Sequence, residues 1–174
     1  MTINNREFHV FIHHSDIHDQ IIRMAGEVNR DYKSKNPLFL VILNGAFMFA
    51  ADLVRELQIP SEITFIRLRS YDQMKSTGKV RSLMGLTESL KGRHVVILED
   101  IVDTGCTLSY VLQSFKNSGA LSMEIATLLF KELSVKRDFM PKYIGFRIPD
   151  RFVVGYGLDY NGFGRNLKDI YQIA

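Results

Sequence analysis

Apolar positions along this chain switch between two periods, and the switches divide it into alternating strands and helices. The run Leu38-Phe39-Leu40-Val41-Ile42-Leu43 has no polar interruption, the pattern of a strand buried on both faces of a parallel sheet. Further apolar runs at residues 8–12, 63–68, 95–98, 123–129, 143–146 and 152–156 predict more strands. Between them the spacing becomes helical. Ile17, Ile21, Met24, Ala25 and Val28 would share one helix face, with Ser15 as N-cap and Asp16 and Asp19 near the positive end of the dipole. Asn44-Gly45-Ala46 reads as a turn into a second helix over 47–57, carrying Met48, Ala51, Leu53, Val54 and Leu57. Leu108, Val111, Leu112 and Phe115 mark a third, over 108–117. Alternation of this kind predicts an α/β fold, a mainly parallel twisted sheet flanked by helices.

One segment keeps neither period. Residues 70–82, which include Tyr71-Asp72-Gln73-Met74-Lys75-Ser76-Thr77-Gly78-Lys79-Val80-Arg81, are polar and aperiodic and read as a mobile loop. A loop of that length in a compact domain is either a functional lid or a surface excursion.

Composition narrows the class. With 174 residues, 46% of them hydrophobic, the chain suits one globular domain over 1–174, since domains most often run about 100–150 residues. A single cysteine excludes an internal disulfide framework, and no charged-then-apolar leader is evident, so a reducing cytoplasm is the expected location. No apolar run approaches the roughly 20 residues that span a bilayer, so no membrane role is expected. The net charge of +3 comes from scattered Lys and Arg without a dense block, and Trp is absent, which argues against a nucleic-acid partner.

The chemistry concentrates in Val95-Val96-Ile97-Leu98-Glu99-Asp100-Ile101-Val102-Asp103-Thr104-Gly105-Cys106-Thr107-Leu108. A buried strand runs into acids and then a small-residue turn at a helix N-terminus. Parallel sheets bind ligands beyond the carboxyl ends of their strands, which puts Glu99, Asp100 and Asp103 at the mouth of that crevice. Free N–H groups at the turn favour a phosphate, while carboxylates accept hydrogen bonds from hydroxyls. A phosphorylated ribose satisfies both. An ordinary strand, acidic turn and capped helix would read alike from turn chemistry alone. Neither a Walker loop nor a dinucleotide fingerprint is present in this segment.

This segment resembles the phosphoribosyl pyrophosphate (PRPP) motif of the type I phosphoribosyltransferases, in the form Glu-Asp-Ile-Val-Asp-Thr-Gly that the hypoxanthine (hypoxanthine-guanine) phosphoribosyltransferases carry. Further patches follow in the family's order between Phe39 and Asp169. Leu43-Asn44-Gly45-Ala46 is similar to the first phosphate loop, although the family commonly has lysine in place of Asn44. Ser70-Tyr71 is similar to the start of the family's flexible lid. Pro149-Asp150-Arg151-Phe152-Val153-Val154-Gly155-Tyr156-Gly157-Leu158-Asp159-Tyr160-Asn161 resembles the base-binding strand and its turn.

The resemblance implies the type I fold with a small hood and a flexible loop, and a purine-salvage transferase joining hypoxanthine or guanine to PRPP, giving IMP or GMP and pyrophosphate. It assigns Asp103 as the base that accepts the purine N7 proton. Asn44, Gly45, Ser70, Tyr71, Glu99, Asp100, Thr104, Gly105, Cys106, Thr107 and Arg165 fall at positions facing PRPP. Lys131 would reach the purine carbonyl, Phe152 stack on the ring, and the Val153 backbone read its edge beside Asp159. Mg²⁺ is the implied cofactor, on Asp159 with Glu99 and Asp100, in keeping with its preference for few carboxylates plus phosphate oxygens and water. The implied assembly is a dimer or tetramer. Cys106 reads as a spectator whose backbone matters more than its thiol, and His14 and His18 as a solvated helix face without a third metal ligand. A nucleotide- or RNA-binding regulator on the same fold and a xanthine phosphoribosyltransferase are the alternatives.

Overall fold

The computed structural model describes residues 1–70, 80–84, 86–135 and 139–174. Tyr71 and the rest of segment 71–79 lie outside the described residues, so the loop expectation is untouched there.

Strand β3 (Leu38–Leu43) matches its predicted bounds and lies inside a six-stranded sheet. Its neighbours are β4 (Glu62–Ser70) and β6 (His94–Val102), both parallel to it. Beyond β6 come β7 (Ser122–Phe130) and β8 (Tyr143–Arg147), also parallel. β5 (Val80–Met84) closes the other edge antiparallel to β4. The sheet is therefore mainly parallel, as expected, but the aperiodic segment was drawn too long: residues 80–82 pair as strand.

Alternate residues of β3 serve two cores because side chains alternate across a sheet. Phe39 and Val41 join Ile17, Ile21, Met24, Phe49 and Leu53, from helices α1 (His14–Asp31) and α2 (Phe47–Arg55). Leu38, Leu40 and Ile42 join Leu108 and Val111 from α3 (Cys106–Phe115) on the opposite face. Both faces are dry, which is why the run needs no polar residue.

The buried face of α1 is the five residues read from the sequence. Its start is not: His13 is the N-cap, and the first N–H, that of His14, donates to Asp169 Oδ1 at 2.7 Å. A carboxylate from the far end of the chain takes the place expected of Ser15. α2 ends at Arg55 and buries Phe49, Ala50 and Leu53, leaving the predicted Ala51 exposed. α3 begins two residues before the expected Leu108.

A second, antiparallel sheet forms a hood from both ends of the described chain, in the order β1 (Thr2–Ile3), β2 (Arg6–Ile12), β10 (Ile170–Ile173), β9 (Val153–Val154). The strand predicted over 152–156 shrinks to β9, because Gly155, Tyr156 and Gly157 all have positive φ (107°, 50° and 97°) and turn the chain out of the ladder. Among the described residues no helix is long and apolar enough to cross a membrane.

Candidate active site

Strand β6 extends through Glu99 and Asp100 to Val102, so these acids lie within the sheet rather than past its edge. They are 8% exposed and line a cavity of about 340 Å³ at the carboxyl end of the parallel strands. Burial pushes Glu99 well above the usual carboxylate range, and the neighbouring Asp100 charge pushes it further. Glu99 Oε2 has no hydrogen-bond partner among the described residues. Burial also lifts Asp100 to about 6, against the pull of the Ile101 N–H, which donates to its Oδ1 at 2.9 Å, and of the Arg165 charge. Two buried acids that form no ion pair among the described residues are costly unless a ligand brings donors or positive charge.

Asp103, three residues on, has the opposite surroundings. Lys131 follows β7 and is 6% exposed. Its Nζ donates to Asp103 Oδ2 at 3.1 Å and to Asp150 Oδ1 at 3.0 Å. An ammonium has three N–H donors, so one remains for a further acceptor.

The first loop packs directly against these acids. The Leu43–Asn44 peptide is cis. Gly45 is required by close approach rather than by a positive φ: a Cβ there would overlap the Asp100 carboxylate. Across the cavity, Arg165 donates from Nη1 to the Gly157 carbonyl at 2.6 Å and pairs through Nη2 with Asp159 Oδ1 at 2.5 Å. Asp159 Oδ2 accepts the Gly162 N–H at 2.7 Å. Phe152, 45% exposed, presents its ring to the cavity and meets Tyr160 edge-on at 5.5 Å between centroids.

An adjoining cavity of about 220 Å³ is lined by Glu99, Asp103 and the turn Thr104-Gly105-Cys106-Thr107. Gly105, at φ 78°, is the N-cap of α3, so the turn presents the N-terminal end of that helix to this space. Cys106 is exposed.

A strand ending in buried acids, a phosphate-sized turn at a helix start and an aromatic-and-lysine wall thus share one crevice. A model of the phosphoribosyl transferase domain matches residues 13–161. The hypoxanthine-guanine phosphoribosyltransferase of Bacillus subtilis strain 168 is 38% identical over 162 residues, covering 92% of this chain and 90% of that one. The chain belongs to the hypoxanthine-guanine phosphoribosyltransferase family. The Haemophilus influenzae hypoxanthine phosphoribosyltransferase is 39% identical over 169 residues, covering 95% and 94% of the two chains. Among solved structures, a hypoxanthine-guanine phosphoribosyltransferase from Bacillus anthracis with HEPES in its active site superposes with a TM-score of 0.90 at 34% identity, over 95% of this chain and 98% of that one.

Of the positions matched to this family, Asn44, Gly45, Glu99, Asp100, Asp103, Thr107, Lys131, Phe152, Val153, Asp159 and Arg165 line the larger cavity. Thr104, Gly105 and Cys106 line the smaller. Ser70 is the last residue of β4, with only its backbone described, and Tyr71 lies outside the described residues. The expected metal set does not form a preassembled cage: among the described residues no three His, Cys, Asp or Glu side chains group as a metal site. Asp150 and Arg151 were missed. Both adjoin Phe152 in the base-binding stretch, and a charged pair directly before an apolar strand was the available signal.

Proposed function

We propose that this phosphoribosyltransferase joins a 6-oxopurine, hypoxanthine or guanine, to PRPP, and that residues 1–174 act as one such domain. The convergence of the Glu99–Asp103 strand end, the Thr104–Thr107 turn and the Lys131–Phe152 wall on one crevice carries the reading. The 5′-phosphate sits at the turn, where the α3 N–H groups meet it. Glu99 and Asp100 hold the ribose hydroxyls, whose donors answer the unpartnered Glu99 Oε2. Phe152 covers one face of the purine, and the remaining Lys131 donor reaches the carbonyl oxygen. Asp103 takes the N7 proton as the base nitrogen attacks and the bond to pyrophosphate breaks. Arg165 faces the departing pyrophosphate with a permanent charge.

The hard oxygen donors Asp159, Glu99 and Asp100 around one cavity fit Mg²⁺ and would hold it there. Bound there, Mg²⁺ supplies neutralisation of pyrophosphate charge. A reducing cytoplasmic setting and a dimer or tetramer belong to the same reading. Neither the RNA-binding nor the xanthine alternative finds support in the named relatives.

The test is to incubate the protein with PRPP and Mg²⁺ and offer hypoxanthine, guanine, xanthine or uracil in turn. Nucleotide and pyrophosphate should form in equal amounts with the first two. Turnover of uracil alone, or of none, would overturn the reading.

A further inference from the structure

The hood turn that carries Arg165 and Asp159 is pinned to the core by one side-chain bond remote from the reacting groups. Tyr156 is buried, and its hydroxyl donates to Asp52 Oδ2, on α2, at 2.5 Å. α2 starts immediately after the Asn44-Gly45 loop, so Asp52 and that loop share one rigid element. The backbone on either side of Tyr156 packs closely against its neighbours. A Cβ on Gly155 would overlap the Asp169 carbonyl, and one on Gly157 would overlap the Gly45 carbonyl. The Gly157 carbonyl in turn accepts the Arg165 guanidinium, and the Gly157 N–H donates to the Arg165 carbonyl at 3.0 Å. A continuous path therefore runs from Asp52 through Tyr156 and Gly157 to Arg165 and Asp159, while Gly157 lies against Gly45.

We infer that Tyr156 and Asp52 are positioning residues for the pyrophosphate side of the site: their bond fixes the distance between the Gly45 loop on the core and Arg165 with Asp159 on the hood. The contacts to the purine carbonyl and ring face sit elsewhere. Lys131 is fixed by Asp103 and Asp150, and the Phe152 ring by Tyr160 and Phe8, neither set passing through Asp52. Loss of the pin consequently loosens PRPP and leaves purine affinity in place. A phenol bonded to a carboxylate is a charge-assisted pair, and the surrounding cavity formed with His14, His18, Met48 and Lys168 offers water as the replacement partner once it breaks.

This inference rests on the phosphoribosyl-transfer reading, and the wild-type assay above tests that reading separately. With wild-type turnover established, KM for PRPP, KM for hypoxanthine and kcat are compared in Tyr156→Phe, Asp52→Ala, Asp52→Asn and the Tyr156→Phe/Asp52→Ala pair, alongside thermal melting. Tyr156→Phe and Asp52→Ala should each raise KM for PRPP about tenfold, the value expected for losing one charge-assisted bond, and change KM for hypoxanthine less than twofold. Asp52→Asn, which keeps an acceptor oxygen, should restore most of the PRPP affinity. The double variant should match Asp52→Ala, because both single variants remove the same Tyr156–Asp52 bond and the exposed Arg55–Asp52 pair, lost in either Asp52→Ala protein, is worth little. Equal rises for both substrates, additive losses in the double variant, or a lowered melting temperature with both KM values unchanged would each overturn the assignment.

Discussion

The core wall of the cavity, where β6 carries Glu99 and Asp100 and leads to Asp103, is held on both sides by parallel pairing with β3 and β7. The hood wall, residues 152–165, has a two-residue strand and is held by glycine turns and individual side-chain bonds. On the core wall, position is a property of the sheet, so changing an acid should alter charge and leave geometry alone. On the hood wall, position depends on local contacts, so the same kind of change should move neighbours. The electrostatics differ as well: Glu99 and Asp100 are buried and form no ion pair among the described residues, whereas Asp159 is paired with Arg165.

The largest effect expected from this contrast is at Asp103. Asp103→Asn keeps the shape of the wall and removes proton acceptance, so kcat should fall roughly 10²–10⁴-fold with PRPP binding retained. Saturating turnover and a PRPP isotherm check it; unchanged turnover removes Asp103 from the reaction.

A second expectation concerns the ligand-free protein. Asp100 is lifted from 3.8 to about 6 by burial, so its contribution is fully favourable below about 3.8 and is lost as the pH rises through about 6. At pH 7 the penalty is on the order of 3 kcal/mol. Asp100→Asn should therefore be more stable than wild type at pH 7 in urea unfolding, with an advantage that shrinks as the pH falls through 6 and has gone near 4. A pH-independent difference would show that the substitution acts on packing rather than charge.

Lys131 joins the walls, since its two carboxylate partners come from the core turn and from the approach to the hood. Removing a charged hydrogen bond costs about 1.5–3 kcal/mol, so Lys131→Ala should weaken hypoxanthine tenfold or more while weakening PRPP far less. Competition isotherms for the two ligands should separate clearly. Equal weakening would mean that the bridge holds the walls together instead of reading the base.

The smallest effect should be at Phe152. Its ring geometry adds about 0.5–1.5 kcal/mol beyond area, so Phe152→Ala should raise KM for the purine several-fold and leave kcat nearly intact. A kcat loss as large as that of Asp103→Asn would place the ring in the chemistry itself.

How legible each wall was in the sequence follows from the same difference. β3 and the buried face of α1 were readable because local spacing determines which side chains face a dry core. Glu99, Asp100 and the turn to Thr107 were readable because strand, acids and helix start are contiguous. The hood was mostly hidden: β1 and β10 are short, and β10 pairs with β2, so residues such as Ile173 and Phe8 meet across almost the whole chain. The Asp169 cap on α1 and the Tyr156–Asp52 bond likewise join positions far apart in the chain that no local pattern records. Gly45 was noticed, but the Asp100 carboxylate that demands it became visible only in three dimensions.

The pairing of β10 with both β2 and β9 also sets an order of events during synthesis. All strands of the parallel sheet are present once Arg147 has been made, whereas the hood sheet must wait for Ile170–Ile173. At about 5–20 residues per second, a nascent chain passes through an interval in which the acid-lined wall and Lys131 exist and the hood wall does not. Competence to select a purine is therefore acquired in one late step, when a four-residue strand closes the smaller sheet.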